Sequence, residues 1–335
     1  MKILYIGNKL ASSGKTPTTV DTLSKQFEEF SDVVSVSEKI NKISRLFDMC
    51  SSVIKHKDVD YVVIDTYSSS AFYFTLAASF FCRILKKKYI PILHGGNLPA
   101  RLDGSPKMSR FIFMHSYMNV SPSGYLHHEF EIRGYSRLVT IPNNIDISMY
   151  KFNIRQYFKP KLLWVRSFAE TYNCTMAIEV LKRLLYKYPD AELCMVGPDK
   201  DGSMKKTVDL AEQYGISDHL KITGRMSKKD WHELSEKYDI FISTTNFDNT
   251  PVSLIEAMAL GLPVISTNVG GVPYLVSDGE DAFLVPKGDA SLMTEKVDYI
   301  IKNPIETQSI CLKARAKAET FGWNRVKSQW QKILK

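Results

Sequence analysis

Short β-rich runs alternate with amphipathic stretches of helical spacing along this chain, and the alternation stops once and starts again. The first series is KILYI (2–6), YVVID (61–65), YIPIL (89–93) and LVTI (138–141); the second is KLLWV (161–165), ELCMV (192–196), DIFIS (239–243) and PVIS (263–266). Strands separated by helices pair in parallel, because a crossover must return the chain to the same end of the sheet. The two series therefore predict an α/β protein with two parallel, doubly wound sheets. The stretch between them, IPNNIDISMYKFNIRQYFKP, carries two prolines and no helical period, which makes it the expected linker. A length of 335 residues agrees, being too long for one ordinary core and suited to two of roughly 150 residues. The expected division is residues 1–150 plus 320–335, and residues 155–319. The last segment joins the first domain because Trp323, Val326, Trp330, Ile333 and Leu334 recur at near-helical spacing, so that helix must dock on a core.

Composition narrows the class. The five cysteines (Cys50, Cys82, Cys174, Cys194, Cys311) are odd in number and never spaced as C-x-x-C, which predicts reduced thiols and a cytoplasmic protein. The opening MKILYIGNKL has no signal-peptide core. The longest apolar run, AFYFTLAASFFCRIL (71–85), is shorter than the ~20 residues that span a bilayer and is expected to be a buried helix. The formal charge is +8, and residues 1–150 carry 18 basic and 13 acidic side chains. Opposite charges are interspersed and no basic run is interleaved with aromatics, which argues against a nucleic-acid partner. Peripheral attraction to an anionic membrane and an ordinary solvated surface both fit.

The chemistry concentrates in NFDNTPVSLIEAMALGLPVISTNVGGVPYL (246–275), directly after the strand DIFIS. Thr250 is expected to cap a helix that Pro251 opens and Gly261 ends. The bare amides of Val252 and Ser253, with the positive end of the helix dipole, would suit a diphosphate. Glu256 stands between Ile255 and Ala257-Met258-Ala259 in a helix too apolar to be solvated all round. A buried carboxylate costs several kcal/mol unless paired or hydrogen-bonded, so it needs either a ligand's hydroxyls or an ion pair. His94 follows YIPIL and precedes Gly95-Gly96, where it can contact a sugar or serve the core. Gly197, in VGPDKDG, ends a strand and fits a tight turn as well as a ligand loop. Gly14 precedes Lys15-Thr16-Pro17, with Thr16 and Pro17 as a cap and first helical residue; a phosphate-loop ATPase is rejected because Lys9 stands where that motif requires glycine. His127 and His128 are read as surface or packing residues, with no metal site.

The long segment resembles glycosyltransferase family 4, the retaining enzymes of GT-B fold. Their signature is two acids separated by seven residues and followed by Ala-Met-x-x-Gly-x-Pro-Val; here it is Asp248, Glu256 and AMALGLPVISTNVGG. VRSFAETYN, MVGPDKDG and ITGRMS extend the resemblance through the C-terminal half, and HGGNLP and IPNNID touch the N-terminal half. The resemblance implies two Rossmann-like domains facing across a cleft, the C-terminal one holding a nucleotide diphosphate sugar as donor substrate. Glu256 would take the ribose hydroxyls, and Asp248 with Asn249 and Thr250 the donor sugar. Arg166 would hold phosphate, Arg225 and Met226 the base, and Gly14 would let the backbone approach the donor phosphate. The family usually has a lysine five or six residues after the arginine, where this chain has Thr171 and Tyr172, and its first acid is normally Glu. The implied activity is retaining sugar transfer, without cofactor or metal, to a glycan or lipid-linked acceptor in surface polysaccharide or glycoconjugate synthesis. Arg101, Lys107 and Arg110, in the variable loop 97–110, would meet an anionic headgroup or water. The alternatives are a GT-B nucleotide-sugar epimerase, a non-catalytic nucleotide-sugar-binding subunit, and a structural protein with an inert cleft.

Overall fold

A computed structural model describes residues 1–13 and 18–335; Gly14, Thr16 and Pro17 lie outside the described residues. The chain forms two compact units, residues 1–142 with 328–335, and residues 143–327. The first is built in the order β1 (Lys2–Ile6), α1 (Thr19–Phe27), β2 (Asp32–Val36), α2 (Lys42–Lys55), β3 (Tyr61–Thr66), α3 (Phe72–Ile84), β4 (Lys88–Leu93), α4 (Leu98–Gly104), α5 (Pro106–Phe113), β5 (Asn119–Ser121), α6 (Gly124–Glu131) and β6 (Leu138–Thr140). Its six strands run parallel in the order β2-β1-β3-β4-β5-β6. Every residue of β3 is buried, as expected of a central strand covered on both faces.

The second unit follows as β7 (Lys161–Val165), α7 (Cys174–Leu185), β8 (Glu192–Val196), α8 (Ser203–Gln213), β9 (Leu220–Gly224), α9 (Lys228–Ser235), β10 (Ile240–Ser243), α10 (Val252–Leu260), β11 (Val264–Thr267), α11 (Val272–Leu275), β12 (Phe283–Val285), α12 (Ala290–Lys302) and α13 (Pro304–Glu319). Its strands are also parallel, ordered β12-β11-β10-β7-β8-β9, with β7 and β10 central. All residues from Ser253 to Leu260 are buried, so α10 is a core helix rather than a surface one.

Three expectations change. The segment 143–160 is packed onto the second unit: the Asn153 amide donates to Leu260, and the Arg155 guanidinium donates to the carbonyls of Tyr238 and Ser235. The apolar run 71–85 becomes α3, yet Tyr73, Phe80 and Ile84 face solvent. The variable segment 97–110 is helical, as α4 and α5. The last helix, α14 (Trp323–Ile333), buries Val326 and Trp330. Trp330 meets Phe27 edge-on at 5.0 Å and the Tyr61 hydroxyl donates to the Lys335 carbonyl, which ties the chain's end into the first unit.

Candidate functional site

Residues 244–251 carry the chain from β10 to α10 along a fixed path. The Thr244 hydroxyl accepts from the Trp164 indole and donates to the Tyr172 carbonyl, each at 3.0 Å. Thr267 donates to the Thr245 carbonyl at 2.6 Å, and the Gly271 amide to the Asp248 carbonyl at 2.8 Å. A Cβ on Gly271 would lie 1.7 Å from the Asn249 carbonyl oxygen, so only glycine lets these two loops touch. The helix starts one residue later than its sequence suggests. Pro251, not Thr250, stands at the cap, with extended backbone and no side chain bonded to the first-turn amides. The proline ring fixes φ and, lacking an N–H, needs no partner there. Among the described residues the buried Thr250 hydroxyl has no partner, while Val252 and Ser253 open the helix.

Two buried carboxylates flank this helix start. The Asp248 side chain, 8% exposed, pairs with Arg166 Nη2 and accepts the amides of Asn249 and Thr250. Aspartate is short enough to fold back onto the amides that follow it. The groups assigned by resemblance to the donor sugar are therefore engaged with one another and with the arginine. Burial pushes the Asp248 carboxyl up, and the Arg166 charge and the two amides offset this only in part. The Arg166 guanidinium lies 4.6 Å over the ring of Tyr172, at a position where the resembled family has lysine, and among the described residues its buried Nε has no partner. Gly197, at φ +154°, is explained by the same region: a Cβ there would come 1.8 Å from the Arg166 carbonyl oxygen. Its role is close approach of the ends of β7 and β8.

Glu256 is 5% exposed, as its apolar neighbours predict. It is not left for a ribose alone to satisfy. The Tyr150 hydroxyl donates to its Oε1 at 2.8 Å, and Lys228 Nζ stands 2.8 Å from the same oxygen. Burial and the adjacent negative charge push the Tyr150 hydroxyl well up, so it stays a donor. Lys228 itself is 61% exposed, so solvent screens its side of the pair. Ser227 caps α9 by accepting the Asp230 amide, which places Lys228 in the first turn beside α10. The expected base-binding turn lies just before: Gly224 is left-handed at φ +69°, Arg225 is exposed, and Met226 packs on the cluster that includes Leu254, Ile255 and Met258. The His232 ring packs against Tyr150 at 4.6 Å, tilted by 44°; burial lowers its pKa against the pull of Glu256, and among the described residues its buried Nε2 has no partner.

In the first unit, the His94 ring is 6% exposed and its Nε2 lies 2.9 Å from Asp65 Oδ1, which also accepts the Tyr5 hydroxyl. Tyr67 stacks on the ring at 5.4 Å. The space beside Gly95 is filled by Ser68, whose amide nitrogen would sit 2.5 Å from an added Cβ. Among the described residues the buried Asp65 Oδ2 has no partner. His94 is thus a packed imidazole held by a carboxylate.

The pattern that defines "Glycosyl transferases group 1" matches residues 151–318, half of the chain. The chain belongs to the group 1 glycosyl transferases. Among relatives, the amylovoran biosynthesis glycosyltransferase AmsK of Erwinia amylovora is 24% identical over 251 residues, 71% of this chain and 61% of that protein. The putative colanic acid biosynthesis glycosyltransferase WcaL of Salmonella typhimurium is 26% identical over 209 residues, 57% and 50%. An uncharacterized Haemophilus influenzae glycosyltransferase is 29% identical over 158 residues, 47% and 44%. The matched stretches span about half the length of these relatives. Anabaena HepE, solved with UDP, has the same fold over 100% of this chain and 99% of its own, with a TM-score of 0.81 at 17% identity. The lipopolysaccharide outer core galactosyltransferase WaaB follows at 0.74 and 16%, covering 100% and 99%. The fold is that of the GT-B enzymes.

Three residues of this group 1 glycosyl transferase were not legible in the sequence, Tyr150, Lys228 and Asp65, and for a fourth, Tyr172, the contact with Arg166 was not. Tyr150 sits in the segment read as a linker, and Lys228 is one of many lysines. Their partner Glu256 lies 106 and 28 residues away, beyond any local periodicity. Tyr172 was visible as a departure from the family pattern, and an aromatic ring near an arginine is the signal that could have found it. Among the described residues no three His, Cys, Asp or Glu side chains converge as metal ligands, and no helix is long and apolar enough to cross a membrane.

Proposed function

We propose that this chain is a retaining glycosyltransferase that moves a hexose from a nucleoside diphosphate sugar to a glycan or lipid-linked acceptor of a surface polysaccharide or glycoconjugate. The observation that carries the reading is the buried Glu256 carboxylate, one turn into α10: among the described residues both of its donors are on Oε1, and Oε2 is left to accept a ribose hydroxyl. Four residues of helix rise span about 6 Å. A ribose held at Oε2 thus reaches back with its diphosphate to the amides of Val252 and Ser253, where the helix dipole favours negative charge. The orphaned Thr250 hydroxyl and Arg166 Nε lie at the same end and fit a polar ligand. Arg225 and Met226 would border the base. The UDP in HepE supports a nucleoside diphosphate donor, and the names of AmsK and WcaL support polysaccharide synthesis.

In the proposed reaction the acceptor oxygen bonds to the anomeric carbon on the face from which the diphosphate oxygen leaves, and a donor phosphate oxygen receives the acceptor's proton. The chain supplies positioning and charge: Arg166 and the helix amides take up the charge that grows on the departing diphosphate. No side chain acts as base and no metal is required. A thermal-shift panel of nucleoside diphosphates and nucleotide sugars tests this. One base class is expected to raise the melting temperature equally with and without chelator; no stabilisation by any member, or stabilisation that chelator abolishes, contradicts the proposal. The engagement of Arg166 with Asp248 and Tyr172 favours one second reading, a non-catalytic nucleotide-sugar-binding subunit. That protein would be stabilised by the same nucleotide yet release no diphosphate from its sugar.

A further inference from the structure

The links from β2 to β3, β3 to β4 and β4 to β5 all step across the sheet in one direction, so right-handed crossovers place α2, α3, α4 and α5 on the same face. α2 packs on α3 and α3 on α5. Their inner sides are core: Met49, Val53, Ala78 and Cys82 cluster with β1, β3 and β4. Their outer side should be polar and is not. On α2, Ile43, Phe47 and Ile54 are 68%, 70% and 42% exposed, and their spacing puts them within about 40° of one another around the helix. On α3, Tyr73, Phe80 and Ile84 form a second such stripe. Phe80 stacks on Phe111 of α5, and the Arg83 guanidinium lies 4.1 Å over Phe111, which joins the two helices into one surface; Met114, just past α5, is exposed beside it in sequence.

Cations accompany the stripes. Lys42 and Lys55 of α2, Lys86 just past α3, and Lys107 and Arg110 of α5 are exposed, and among the described residues none forms an ion pair with a carboxylate. Residues 39–115 carry twelve basic and five acidic side chains. We propose that the outer face of α2, α3 and α5 lies on an anionic lipid bilayer, with the apolar stripes entering the headgroup boundary and the cations meeting lipid phosphates. The combination decides the occupant. A second copy docked about a two-fold axis would set two faces of like charge against each other. A phosphate backbone would use the cations but leave the isoleucines and phenylalanines in water. An anionic bilayer takes up both. It also gives α3 a reason to be apolar on its core side and its solvent side alike.

Flotation of the full chain with vesicles tests this, comparing phosphatidylcholine alone with phosphatidylcholine mixed with phosphatidylglycerol. Binding is expected only to the anionic vesicles and should weaken with salt. Phe47→Ser/Phe80→Ser should bind about ten-fold or more weakly through lost apolar burial, and Lys55→Ala/Lys107→Ala roughly five-fold more weakly per cation. Stabilisation by nucleotide serves as the fold check, because none of these residues belongs to the candidate donor site. The proposal is overturned if the wild type stays with the unbound fraction in anionic vesicles. It is equally overturned if the phenylalanine variant floats like the wild type, or if the wild type sediments as a dimer that this variant dissociates.

Discussion

Arg166→Ala is expected to lower kcat/KM for release of nucleoside diphosphate by about a hundred- to a thousand-fold, the usual cost of removing one donor aimed at charge that develops in a transition state. The residue stands immediately after β7, where Tyr172 supports the face of its guanidinium and Asp248 holds one edge. A planar guanidinium can grip two phosphate oxygens while keeping that support; an ammonium cannot, so Arg166→Lys should recover only part of the loss. Removing Arg166 also strands the Asp248 carboxylate, 8% exposed, without its cation, and an unpaired buried charge costs about 3–5 kcal/mol. Asp248→Asn in the same chain relieves that cost. If the double variant regains stability but not turnover, the arginine acts on substrate; if single and double variants turn over within a few-fold of wild type, it does not.

Gly271→Ala should be strongly damaging to the second unit. The added methyl would meet the Asn249 carbonyl at 1.7 Å, a clash with backbone that no rotamer can relieve, although the residue's own φ of −87° suits alanine. Overpacking of this kind is expected to cost about 3 kcal/mol or more, or roughly 6–12 °C in melting temperature for a unit of this size. The loop that must move is the one presenting Thr250 and the first amides of α10, so nucleotide stabilisation should be lost as well. Gly104→Ala, with open space around its Cβ position, should change neither. A Gly271→Ala protein that melts and binds like the wild type would show that residues 246–251 are not held by that contact.

The central strands were legible because each is a run of apolar residues buried on both faces, as in YVVID and KLLWV. β2, β5 and β12 were not. DVVSV is an edge strand with mixed exposure, and NVS and FLV are too short for any period to show. The apolar run of α3 was read as buried because a helix hydrophobic on both sides leaves no moment to distinguish core from surface. At the site, the burial of Glu256 was legible from its immediate neighbours. What satisfies it was not, since Tyr150 and Lys228 are brought to it by the packing of the 143–160 segment and α9. Thr250 was misplaced by one residue because Thr-Pro fits a cap and first residue equally well as the pair before them, and only the extended backbone of Pro251 distinguishes the two. The shorter acid at 248 was visible; that its length folds it onto its own amides and Arg166 required the structure.

The central claim is that the Glu256 carboxylate receives the ribose of the donor nucleotide. Titration calorimetry of the stabilising nucleoside diphosphate into wild type and Glu256→Ala tests it most directly, with circular dichroism confirming that both are folded. The account predicts an affinity about ten- to a hundred-fold lower in the variant, the worth of a hydrogen bond to a charged group. Equal affinity in the two proteins would contradict it and leave Glu256 as an internal partner of Tyr150 and Lys228.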